Sequence, residues 1–178
     1  MPIVTKRIRP HRRLGLSSTP TMQVKRIAGL TAAQGAPIML ASGEVIATQT
    51  DDLSHGYCVQ AATDAQIMGF LSEDGGSDSS DSSKIAFVPA LANMTFKGQL
   101  VNTLSSALAV THHTDVGMTA GLAHLTDGVN YGVDKGYSTS RDCLMVTELI
   151  DASGTCGGLV GFVVRAGWRQ LDGINIAS

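Results

Sequence analysis

The strongest constraint on this chain is its rhythm. Short apolar runs are broken by turn residues about every ten positions, the spacing of a many-stranded β domain. The runs are Thr21–Ile27, Pro37–Ser42, Glu44–Gln49, Tyr57–Ala61, Gln66–Leu71, Lys84–Val88, Asn93–Gly98, Val129–Val133, Cys143–Ile150 and Leu159–Arg165. A Ser/Ala/Thr-rich stretch runs from Leu100 to Thr111, and Gly117 and Gly121 disfavour a long helix over Thr114–Ala123. No segment sustains an apolar helical period, and the one helical turn expected is at Thr63–Gln66. Ser42-Gly43 reads as a hairpin turn, and Asp127-Gly128 and Asp134-Lys135-Gly136 as turns around Val129–Val133. Asp151-Ala152-Ser153-Gly154 joins the two clearest strands into a hairpin. The expected fold is all-β: a β-barrel or β-sandwich, jelly-roll-like, of about ten short strands with an extended N-terminal arm. No exact internal repeat is present.

With 178 residues the chain is one domain, or one domain plus an arm. A chain of this size hides roughly 70% of the surface it exposes when unfolded, so a core is within reach. Charged residues are only 16% and glycines number 20, which argues against a solvated helical bundle. No apolar run is long enough to span a bilayer, and no apolar segment of signal-peptide type follows the N-terminal charges. Cys58, Cys143 and Cys156 are odd in number and widely spaced, which fits a reducing compartment better than a disulfide framework.

The charge is segregated along the chain. Residues 1–43 carry Lys6, Arg7, Arg9, Arg12, Arg13, Lys25 and Arg26 with no acid, a net of +7. The remainder has six basic and fifteen acidic residues, a net of −9, giving −2 for the whole chain. Pro2, Pro10, Pro20 and Gly15 punctuate the start, so residues 1–27 read as an extended basic arm and 28–178 as the β domain. Such an arm suits a negative partner, either phosphates or an acidic protein surface. Met22 and Val24 alternate with Gln23 and Lys25, the pattern of a strand that the arm adds to a sheet edge. The partner-binding residues expected are therefore Lys6, Arg7, Arg9, Arg12, Arg13, Met22, Val24, Lys25 and Arg26.

Catalytic patterns are absent from the sequence. It has neither phosphate loop, G-x-x-x-x-G-K-[ST] or G-x-G-x-x-G, nor a G-x-S-x-G elbow. His112, His113 and His124 have no local link to a cysteine. His112-His113 with Asp115 looks like a metal fragment, but neighbouring strand residues point to opposite faces. The segment Ser72–Ser83 holds Glu73, Asp74, Asp78 and Asp81 among serines and glycines, without the spacing of a calcium loop. It reads as a surface loop, or as an acceptor for a neighbour's basic arm. No enzyme activity, cofactor or metal is expected.

The segment Phe96–Val164 carries a resemblance. It has an F-x-G opening strand at Phe96 and Gly98 and a T-D-V-G turn at Thr114–Gly117. It ends on a hairpin of the form I-D-A-x-G-T-x-x-G-x-V-x-F-V, built from Ile150, Asp151, Ala152, Gly154, Thr155, Gly158, Val160, Phe162 and Val163. These features resemble the C-terminal half of small structural proteins of tailed bacteriophages, the class that includes capsid decoration or cement proteins. The apolar run around Gly43 and Ile67–Phe70 (I-M-G-F) is similar to the first half of such proteins. The basic arm has no counterpart in the resemblance.

The resemblance implies a non-enzymatic protein of the virion, made in the host cytoplasm. It would bind the outside of an assembled head, bridge neighbouring copies of the major capsid protein and stabilise the shell. It would act with itself as a homo-trimer or homo-dimer, without membrane or nucleic acid. Two alternatives stand beside it. One is another virion component, such as a tail tube or head–tail connector. The other is a nucleic-acid-binding protein acting through its basic arm.

Overall fold

The computed structural model describes residues 7–13, 20–26, 33–40, 57–60, 66–74, 84–102, 107–125, 130–136 and 142–171. The described residues form twelve strands and two short 3-10 turns, at His113–Asp115 and Ala166–Trp168. The strands are β1 Arg9–Arg13, β2 Met22–Arg26, β3 Pro37–Leu40, β4 Tyr57–Gln60, β5 Gly69–Leu71 and β6 Lys84–Pro89. They continue as β7 Met94–Asn102, β8 Ala107–Leu108, β9 Thr119–His124, β10 Tyr131–Asp134, β11 Leu144–Leu149 and β12 Leu159–Val164. The fold is all-β, as the strand rhythm predicts.

The strands close into two rings. β2, β4, β3, β5 and β6 form a closed barrel. β7, β10, β9, β11 and β12 run side by side in a second sheet, and pairing of β12 with β7 closes that ring as well. The two rings share one topology. In each, the first strand runs parallel to the central strand of the chain order, β2 with β4 and β7 with β10. Every other pairing in both rings is antiparallel, and the last strand returns to the first. β8 is an addition to the second ring, paired on the end of β7. The architecture thus repeats where the sequence does not.

One core runs through both barrels. Phe70 of the first barrel lies 4.6 Å, centroid to centroid, from Phe96 and 6.0 Å from Phe162, both of the second. Phe96 and Phe162 stack on each other at 5.9 Å. All three are buried, in one cluster with Ile38, Met68, Phe87, Leu100, Leu122 and Leu144. β7 explains why: Met94, Phe96, Gly98 and Leu100 alternate toward this core, with Thr95, Lys97 and Gln99 on the other face.

The chain ends cross between the barrels. β1 precedes the first barrel, yet pairs antiparallel with β7 of the second. The segment after β12 returns to the first: Ile67 donates its N–H to Trp168 O and accepts from Gln170 N–H. Ile8, just before β1, is buried in the common core. Gly35 makes room for it, since a Cβ there would stand 2.5 Å from the Ile8 carbonyl oxygen.

This placement sets the described part of the expected N-terminal arm into the sheets. Residues 9–13 are a strand of the second sheet, and β2 is a barrel strand with β4 on one side and β6 on the other. The reason is hydrophobic: Ile8 and Val24 are buried, and burying two β-branched side chains favours docking over extension into solvent. The expected strand Glu44–Gln49, most of the turn Thr63–Gln66, the residue Lys6 and the loop from residue 75 to 83 lie outside the described residues.

Candidate functional site

The described basic residues expected to meet a partner are distributed by the N-terminal segment over both barrels. Arg7 donates to Asp74 Oδ1 at 3.0 Å, the same oxygen that accepts the Gln34 backbone N–H at 2.8 Å. Both contacts hold the Asp74 carboxyl below the usual aspartate range, the Gln34 bond more than the Arg7 charge. Glu73, beside it, accepts the Ala86 N–H at 2.7 Å. The two acids at the start of the serine-rich loop therefore tie the chain to itself, and one receives an arginine of the same copy.

Arg9 is exposed and lies directly across from Lys97 of β7. A β-bulge between Pro10 and Arg12 then shifts the register, so that Arg12 stands opposite Thr95 and Arg13 opposite Met94. The bulge re-aims His11, whose Nε2 lies 3.4 Å from Glu148 Oε1 on β11. Gly161 of β12 stands between Lys97 and Glu148 in the same cross-strand row, paired with both. In the first barrel, Lys25 is in register with Tyr57 and Lys84, and Arg26 with Cys58. Val24 is buried in the barrel, and Met22 packs half-buried against the core. These two are thus barrel residues, and the strand that holds them has both of its edges occupied.

Lys97, Glu148 and Asp74 complete this surface, and the sequence did not single out the first two. Lys97 sits in an F-K-G strand whose alternation places it outward, but its partner strand is distant in the chain. Glu148 depends on a bulge between Val146 and Glu148, which no local motif announces.

The motifs that carry the resemblance hold the fold rather than chemistry. Asp151 Oδ2 accepts the Leu159 N–H at 2.9 Å, closing the β11–β12 hairpin. Gly154 takes a φ of +95° and donates to the Thr111 carbonyl at 2.7 Å. Buried Thr111 donates its hydroxyl to Ala152 O at 2.7 Å and accepts the Thr155 N–H at 3.1 Å. In the T-D-V-G turn, Asp115 accepts the His112 N–H at 2.7 Å and pairs with Lys135 at 3.4 Å. Gly117 has a φ of +87° and bonds to Val146 O. Asp115 is thus spent on its own turn and on Lys135.

Among the described residues no three His, Cys, Asp or Glu side chains converge as metal ligands would. Among them also no helix is long and apolar enough to cross a membrane. Fold and surface together define an all-β protein of two same-topology barrels with a basic N-terminal strand on the second. Comparison with family models, curated proteins and solved structures finds no match.

Proposed function

We propose that this chain is a capsid decoration protein of a tailed bacteriophage, which binds the outer surface of an assembled head and braces neighbouring capsid subunits. One observation carries the reading. The stretch that resembles phage structural proteins, Phe96–Val164, coincides with the second barrel, from β7 to the end of β12. Its F-x-G, T-D-V-G and final hairpin motifs fall on that barrel's core strand, turn and closing hairpin. A resemblance whose best-matching stretch fills a unit that closes on itself has a structural basis that scattered identities would lack. The basic N-terminal strand lies on the outside of that unit, where a shell would meet it.

The test is addition of the purified chain to stripped heads, followed by a density gradient. Migration with the heads, and heads that resist heat better, is the expected result. A chain that stays at the top of the gradient, or sediments with tails, overturns the proposal.

A further inference from the structure

The geometry points to Arg9 and Lys97 as a seat for acidic side chains of a partner protein. Of the arginines and lysines whose side chains are described, Arg7, Lys135 and Arg165 are paired with Asp74, Asp115 and Asp142. Arg169 is also engaged. Arg9 and Lys97 alone have no ionic or hydrogen-bonding partner among the described residues, and they stand directly opposite each other on adjacent strands. Like charges in opposed cross-strand positions repel, so the arrangement opposes the docking of β1 unless an anion lies against both. Thr95 and Gln99, which flank Lys97 on its face of β7, are buried, so the lysine is the one side chain of that row presented outward.

The neighbouring charge selects the kind of anion. Following the row from β1 across β7 and β12 to β11, the residues are Arg9, Lys97, Gly161 and Glu148. A nucleic-acid backbone tracking along this row meets two cations and then the Glu148 carboxylate, which repels it. A protein surface can instead set two carboxylates on Arg9 and Lys97 and leave Glu148 with His11. No aromatic residue stands in the row to stack a base, which removes the usual compensation for single-stranded nucleic acid. The complementary partner is therefore a protein segment with paired acids. On the proposed function it is a capsid subunit, and that identity rests on the reading above; the chemistry of the seat does not.

The full chain, isotopically labelled, is titrated at low salt with a short oligoglutamate peptide and, separately, with oligothymidylate of matched charge. The expected result is amide shifts centred on Arg9 and Lys97 with the peptide, and weaker binding of the oligonucleotide. Arg9→Gln with Lys97→Gln should weaken peptide binding about tenfold, as expected for two exposed ion pairs. Glu148→Gln should narrow the gap between the two probes, which a purely structural role of Glu148 would not do. Peptide affinity unchanged in the double variant, or oligothymidylate bound as tightly as peptide by the wild type, overturns the seat. The gradient experiment separates the two proposals. If wild type fails to join heads while the peptide titration succeeds, the function is wrong and the seat stands. If the titration succeeds but wild type and double variant join heads equally, the seat does not meet the capsid and that partner is wrong.

Discussion

Glu148 Oε1 reaches within 3.4 Å of His11 Nε2 by lying across Gly161, a residue with no side chain to obstruct it. A Cβ on Gly161 would stand 2.7 Å from Glu148 Cγ. Gly161→Ala therefore forces the glutamate off its path and unfastens β1 from β11. Since both partners are about a quarter exposed, the expected loss is at most about 1 kcal/mol. The same substitution in a Glu148→Ala background should cost almost nothing more. A double-mutant cycle by urea unfolding measures this, and additive losses would contradict the arrangement.

Ile8 is the anchor of the N-terminal segment. Its backbone packs against Gly35, just before β3, and its buried side chain against Gly98 of β7. Ile8→Ala should cost about 2–5 kcal/mol, as for other buried aliphatic truncations. Gly35→Ala should destabilise too, because its φ is +87° and the new methyl would meet the Ile8 backbone. Arg9→Ala, one residue further on, should change stability by no more than about 0.5 kcal/mol. Equal effects at positions 8 and 9 would show that the segment is not anchored as described.

The strand rhythm made the fold class legible, because alternation and turn residues act locally. Leu144–Leu149 and Leu159–Val164 are a hairpin whose turn chemistry, Asp151 and Gly154, lies between them in sequence. The duplicated ring was not legible. Its defining pairs, β2 with β4 and β7 with β10, are parallel and non-local, and among the described residues β8 interrupts the second copy. The place of the N-terminal segment was hidden for a related reason. Its charges and prolines describe an arm, while its position depends on Ile8 and Val24, two apolar residues that count for little in a composition. Of the surface, the arginines were visible in sequence. That Lys97 faces Arg9, and that Glu148 closes the row, follows only from register.

Asp74 should make acid resistance visible. The Gln34 N–H bond, and after it the Arg7 charge, hold its carboxyl below the ordinary aspartate value of about 3.9. A depressed folded value means that the stabilising contribution is complete above the unfolded value and is lost as pH falls through the folded one. Asp74→Asn should therefore lower Tm near neutrality, and the difference from wild type should shrink on acidification below about pH 4. Added salt should reduce the Arg7 part of the effect. Thermal scans across that range check the sign; a gap that widens in acid would refute it.

The cysteines should differ sharply in reactivity. Burial pushes the Cys143 thiol up to about 12, whereas Cys156 is exposed at the turn before β12. Only the thiolate attacks, so Cys143 should stay unmodified at mildly alkaline pH while Cys156 is alkylated quickly. Peptide mass mapping after a brief maleimide pulse reads both sites, and denaturant should abolish the difference. Labelling of Cys143 in the native protein at the rate of Cys156 would place it at the surface.

The two barrels should unfold together. Phe70 belongs to one ring, and Phe96 and Phe162, 4.6 and 6.0 Å away, to the other, so neither ring has a complete aromatic core alone. The crossed ends reinforce the link, with Ile8 between the barrels and the segment around Trp168 bonded to Ile67. Trp168 is the single tryptophan, so its fluorescence reports on that return segment, while far-ultraviolet dichroism reports on all strands. Both probes should give one midpoint in urea. Phe70→Ala should move that midpoint for both probes alike, with a loss of about 3–5 kcal/mol. If the barrels were independent, the substitution would split the transition, leaving the β7–β12 ring to melt near its original midpoint.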